Sequence, residues 1–159
     1  MLANMGRLNI TLDDGNAAYS LEERISIQHK KLDIYNVLYE NGDFGFFHGD
    51  VLAVHRQLSY LYSVKGDIPT ALKHLELSVK HAIRFDTESN DKTLKHTSLL
   101  FRGIWQYGNY SCTSQENEEN EASELLDDLQ RPIFDKLRQY PEFAAAEEEL
   151  RKAKGPRWK

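Results

Sequence analysis

Six histidines, at positions 29, 48, 55, 74, 81 and 96, are the side chains in this 159-residue sequence most able to do chemistry. Imidazole binds transition metals as the neutral ring and exchanges protons near neutral pH. A metal site built from these residues would show an HExxH, an HxH or a paired carboxylate–histidine motif, and no such motif joins them at ligand spacing. The expectation is no metal and no cofactor. His55 is read as packing at a helix crossing, and His74, beside Leu75, as packing or a surface hydrogen bond near the flank of the same helix pair.

Other catalytic chemistry has less to work with. Cys112 is the only cysteine and lies in a polar stretch, which excludes an internal disulfide and any multi-cysteine zinc site. No neighbour is predicted to activate its thiol. A nucleophile beside a base, a phosphate-cradling glycine loop and two carboxylates in a cleft are each missing as recognisable motifs, and the glycines of ENGDFG and HGD are turn formers. The chain is read as a non-enzyme, with a histidine-dependent metal protein or enzyme as the third alternative.

The elements that must position any site are helices. Apolar residues recur at spacings of three and four, and no strand pattern is present. Ser20 and Glu23 form a predicted capping box for a helix running to about Tyr39, and Asn41-Gly42 ends it. A second helix over about 49–65 carries Val51, Val54, Leu58, Leu61 and Tyr62 and stops at Gly66. Pro69 opens a third, with Ala71, Leu72, Leu75, Ser78, Val79, Ala82 and Ile83 on its apolar stripe. A fourth is expected after DTESND, with Leu94, Ser98, Phe101 and Trp105 on one face. Residues 107–117 read as loop, about 118–130 as helix, then a short helix over Ile133–Arg138 and a last one from Pro141 to about Lys152. The whole chain, 1–159, is read as one all-α domain.

Composition narrows the partners. With 40% hydrophobic and 28% charged residues the chain should fold, and its formal charge of −5 argues against direct nucleic-acid binding. Residues 115–130 hold seven acidic side chains and no basic one, while the end reads RKAKGPRWK. No apolar run approaches the ~18–20 residues that cross a bilayer, and the start lacks the order of a secretory signal, so no membrane association and a cytoplasmic location are expected.

Residues 52–83 resemble a tetratricopeptide unit. Leu58-Ser59, Tyr62, Gly66-Asp67, Ala71, Leu75 and Ser78 stand where that family has Leu-Gly, Tyr, Gly-Asp, Ala, an aromatic and Ala, with Ser59 replacing glycine, Ser78 replacing alanine and His55 standing where tryptophan is favoured. Over a wider span, LDDGNAAYSLEERISIQHKKLDIYNVLYENGDFGFFHGD, HAIRFDT and KHTSLLFRG resemble the C-terminal sensor region of phage-repressor-type (XRE-family) helix-turn-helix transcription regulators from Gram-positive anaerobes. PIFDKLRQYPEF resembles the C-terminal cap of many tetratricopeptide proteins, here about 132–153.

The resemblance implies a right-handed superhelical stack of about six helices that binds a protein or peptide, or dimerises, and so biases DNA-reading domains. Such regulators carry a helix-turn-helix domain before this region, and none is present in these residues; the expectation is a sensor without its reader. A stand-alone adaptor is the alternative. In such a stack the first helix of each pair lines the concave face, which implies a groove at Ala53, Arg56, Tyr60 and Ser63, with Arg56 clamping a carboxylate and Tyr60 offering a flat apolar contact. Phe44, Phe46 and Phe47 crowd one turn and are expected either to staple helices together or to form a partner or self-association surface.

Overall fold

A computed structural model describes residues 19–88, 94–103 and 119–155. Cys112, Trp105 and the loop expected over 107–117 lie outside these residues. The described chain is mostly helical, with helices α1 (Leu21–Leu38), α2 (His48–Lys65), α3 (Ile68–Glu88), α4 (Glu121–Asp128) and α5 (Pro141–Ala153). Among the described residues no helix is long and apolar enough to cross a membrane.

Local chemistry sets the helix ends. The Ser20 hydroxyl accepts from the Glu23 amide at 3.2 Å, and the Glu23 carboxylate accepts from the Ser20 amide at 2.7 Å, so two of the free amides at the start of α1 are satisfied reciprocally. Gly66 ends α2 at φ +89°, a left-handed angle that a β-carbon would resist. The Asp67 amide then donates back to Tyr62 O at 2.9 Å and closes the turn. Asp67 also opens α3, since its side chain accepts from the Thr70 amide at 3.2 Å while Pro69 sits in the first turn without needing an amide.

This two-residue turn folds α2 and α3 into an antiparallel hairpin, and the other helices add to it. α1 lies along α2, where Ile25 packs with Val54, Leu58 and Leu61. On the other side of α3, its Ala71, Leu72, Leu75, Val79 and Ala82 pack against Ala122, Leu125 and Leu129 and against Phe143, Ala146 and Leu150. The stripe expected to finish at Ile83 continues to buried Phe85.

Two expected elements are different in the structure. Residues 94–103, expected to begin a fourth helix, form a non-helical strap over the α1–α2 connection. Acidic residues from that connection occupy the groups a helix would use: Asp43 accepts from the Thr97 amide and, at 2.9 Å, from the Ser98 hydroxyl, and Glu40 accepts from the Leu99 amide at 2.9 Å. Burial alone would raise the Asp43 pKa, but the Thr97 amide and the Ser98 hydroxyl outweigh it and hold the carboxyl below its ordinary value. The helix expected over Ile133–Arg138 is a single 3-10 turn, Pro132–Phe134, followed by further turns. Successive three-residue bonds, among them Leu137 N–H to Phe134 O at 2.8 Å, stack positions three apart directly above one another, which buries both Phe134 and Leu137.

Two side chains fasten the C-terminal helices. Asp86 of α3 accepts from the Glu121 and Ala122 amides at 2.9 and 3.1 Å, capping α4 from across the interface. Asn120 caps the same helix through Ser123 and reaches the end of α5, donating to Ala153 O at 2.9 Å and accepting from the Gly155 amide at 3.2 Å. Replacing Asp86 by Ala should therefore lower the unfolding free energy by about 1–2 kcal/mol, the worth of a helix cap. The check is the urea midpoint at unchanged slope; an unmoved midpoint would mean that Asn120 alone holds α4.

Candidate functional site

The α2–α3 hairpin brings together side chains that are scattered in the sequence. His48 and His55 are seven residues apart on α2, as are His74 and His81 on α3, so each pair keeps to one helix face. Because the helices run antiparallel, His48 meets His81 with their Nδ1 atoms 2.7 Å apart, and His55 meets His74 with theirs 2.9 Å apart. The rings of His55 and His81 stack at 5.5 Å and join the two pairs into one row.

Both ends of the row have partners. At one end the His48 Nε2 lies 3.1 Å from the Glu88 carboxylate, which also holds Arg84 at 2.8 Å. At the other, Tyr62 stacks on His74 with centroids 5.6 Å apart and its hydroxyl sits 2.9 Å from His29 Nε2 on α1, whose ring meets His74 edge-on at 5.8 Å. Gly49, next to His48, lets the Phe85 ring come within 3.2 Å of where a β-carbon would stand.

Three of the hairpin histidines, His48, His55 and His74, are buried, and His81 is half-buried. Desolvation of the charged ring is the main reason that the pKa of His48, His74 and His81 is pushed down to about 4 and that of His55 to about 3; neighbouring cations add to it. At neutral pH the row is a chain of uncharged rings. Sequence spacing alone puts His74 near a flank; the signal that finds it is the matching seven-residue repeat on the two helices of one hairpin. His96 stands apart, its Nδ1 donating to Asp43 O at 2.8 Å under the strap. The ring nitrogens in each pair face each other rather than a common point, and among the described residues no three His, Cys, Asp or Glu side chains converge in a way that could hold a metal ion.

The residues expected to line a groove on α2, spaced three and four apart, share one helix face, which the C-terminal segment partly covers. Arg56 forms an ion pair with Asp128 at the end of α4. Tyr60 is partly buried and borders a recess of only about 10 Å³ with Arg56, Ile133 and Phe134. Ser63 is buried, its hydroxyl meeting no hydrogen-bond partner among the described residues, and Ala53 is half-buried. The C-terminal segment thus occupies the ground in front of Arg56 and Tyr60.

The phenylalanines of the turn face inward to different degrees. Phe44 is buried and contacts Tyr39, His48 and His81; Phe47 packs on Tyr35 and Tyr39, and Phe46 on Phe85. The positions matched to the repeat are mostly core: Leu58, Ser59, Ala71, Leu75 and Ser78 are buried, Tyr62 is partly buried, and Gly66 makes the turn.

An open cleft of about 430 Å³ lies instead between α3 and α5. Pro69, Leu72, Val79, Ala145 and Ala146 give it apolar lining, and Glu76, Glu142, Glu149 and Lys73 give it charged lining. Glu76 holds Lys80 at 2.5 Å, whereas Glu142 and Glu149, two turns apart on one face of α5, make no ion pair among the described residues. The cleft escaped sequence reasoning because its walls are helices far apart in the chain; the small residues of FAAAEEE were the only local hint.

Comparison with known proteins adds no assignment: no family model, no curated protein and no solved structure matches the chain.

Buried Gln28 offers a direct test of packing beside these sites, since neither of its amide atoms meets a hydrogen-bond partner among the described residues. Replacement by Met keeps the shape and removes two polar groups from the interior, so Gln28→Met should leave stability unchanged or raise it by about 1 kcal/mol. Thermal and urea unfolding measure this; a clear loss would show that the amide is satisfied in solution.

Proposed function

We propose that this chain is a non-catalytic, tetratricopeptide-like module that binds a segment of another protein, and that it serves as the ligand-sensing part of a phage-repressor-type transcription regulator. The cleft between α3 and α5 carries this reading. Its lining offers apolar contact and its charged residues are mostly anionic, so a segment with apolar and cationic side chains on one face is complementary to it. The α2–α3 hairpin, with Ser59, Ala71, Ser78 and Ala82 buried, has the small residues that close helix packing in a repeat stack requires. A segment bound across α3 and α5 favours the arrangement in which those helices are close, and this differential affinity is what a regulator needs to shift a population.

Titration of the isotope-labelled chain with an amphipathic Leu/Lys helical peptide tests the proposal. Amide shifts should concentrate on Leu72–Val79 and Ala145–Glu149, and binding should weaken with salt. Glu142→Gln combined with Glu149→Gln should reduce affinity by up to about tenfold, as expected for two exposed charges. Equal binding of a Leu/Glu peptide, or shifts confined to another face, would overturn it.

A further inference from the structure

The imidazole row has a definite proton arithmetic. Each Nδ1 to Nδ1 contact needs one nitrogen carrying a proton and one bare. With the Glu88 carboxylate accepting from His48 Nε2–H, His48 Nδ1 is the bare partner and His81 Nδ1–H is the donor. A single added proton leaves such a pair joined as imidazolium and imidazole. A second puts two N–H groups face to face across 2.7 Å in one pair or 2.9 Å in the other, where the hydrogen bond becomes a repulsion between cations largely withdrawn from water.

We propose that this row is an acid-responsive clasp, in which neutral imidazole pairs hold α2 against α3 and proton uptake releases the hairpin. The surroundings favour release. On α3, Lys73 acts on His74 and Arg84 on both His48 and His81, and Glu88 is the one anion among the described residues that faces the row. From α1 the titratable group is His29, and from α2 it is Tyr62, while the turn before α2 contributes the uncharged ring of Phe44. Among the described residues one carboxylate, already shared with Arg84, opposes the charging of four rings.

The direction follows from linkage. All four folded-state pKa values lie below the ordinary histidine value of 6.5, at about 3 to 4. Above pH 6.5 both folded and unfolded rings are neutral and the clasp contributes fully. As pH falls from there towards 4, the unfolded chain takes up protons that the folded chain refuses, so stability is lost. With all four rings titrating together the folding equilibrium would change by up to ~10⁴-fold per pH unit. The same four rings scattered on the surface would produce no such dependence.

The test is urea unfolding of the full chain at pH 7.5, 6.5, 5.5 and 5.0, with His55→Leu/His74→Leu alongside the wild type. The wild-type midpoint should drop steeply below pH 6.5, and the double variant should keep about half of that dependence. A flat wild-type midpoint, or an undiminished dependence in the variant, overturns the proposal. Should the variant not fold at pH 7.5, imidazole ¹⁵N spectra of the wild type decide: the four rings must remain neutral at pH 5.5, and titration near the ordinary histidine value overturns the clasp.

Discussion

Contact between α2 and α3 is the constraint on which the rest of the molecule depends. α3 is central: one face meets α2 through the imidazole row, while Leu72, Leu75 and Val79 meet α4 and α5. Asp86, near its end, holds the start of α4, and Asn120 carries that hold onward to the end of α5. The strap over 94–103 depends on Asp43 and Glu40, which come into position only because α1 lies against α2. Loosening α3 from α2 therefore disturbs the platform on which every later element is built.

That contact is unusual in being partly polar. A helix pair packed only through aliphatic residues can shift along its partner with modest loss, because apolar surface is not directional. The imidazole pairs remove this freedom. Sliding by one helical turn would separate both Nδ1 contacts and leave buried nitrogens unpartnered, each at a penalty of about 1–3 kcal/mol. The Gly66–Asp67 turn sets the same register from the end of the hairpin, so local turn chemistry and long-range hydrogen bonding agree.

What was legible in the sequence divides along this line. Signals confined to a few neighbouring residues read correctly: the Ser20 capping box, the stop at Gly66, and Pro69 and Pro141 in first helical turns. Residues 94–103 misled because their periodicity is helical while their amides are taken by carboxylates more than fifty residues away. The 3-10 turn at Pro132 was hidden because Phe134 and Leu137 suit either winding. The sequence points His74 to a flank because its partner, His55, is visible only once the antiparallel register is known. The repeat pattern pointed to the α2–α3 hairpin, where most of the matched positions are buried, and carried no signal for the cleft between α3 and α5.

The surface question turns on which helix is left uncovered. A groove on α2 would need Arg56 and Tyr60 to face open space, yet Asp128 pairs with the first and Ile133 and Phe134 border the second. The segment in front of this face is the same one that ends in α5, and α5 lies across α3 with the small Ala146 buried at its contact. That short side chain lets the backbones approach, while Glu142 and Glu149 line the open cleft beside it. The contacts at Arg56 and Tyr60 and the cleft on α3 are consequences of one event, the return of the C-terminal helices onto α3.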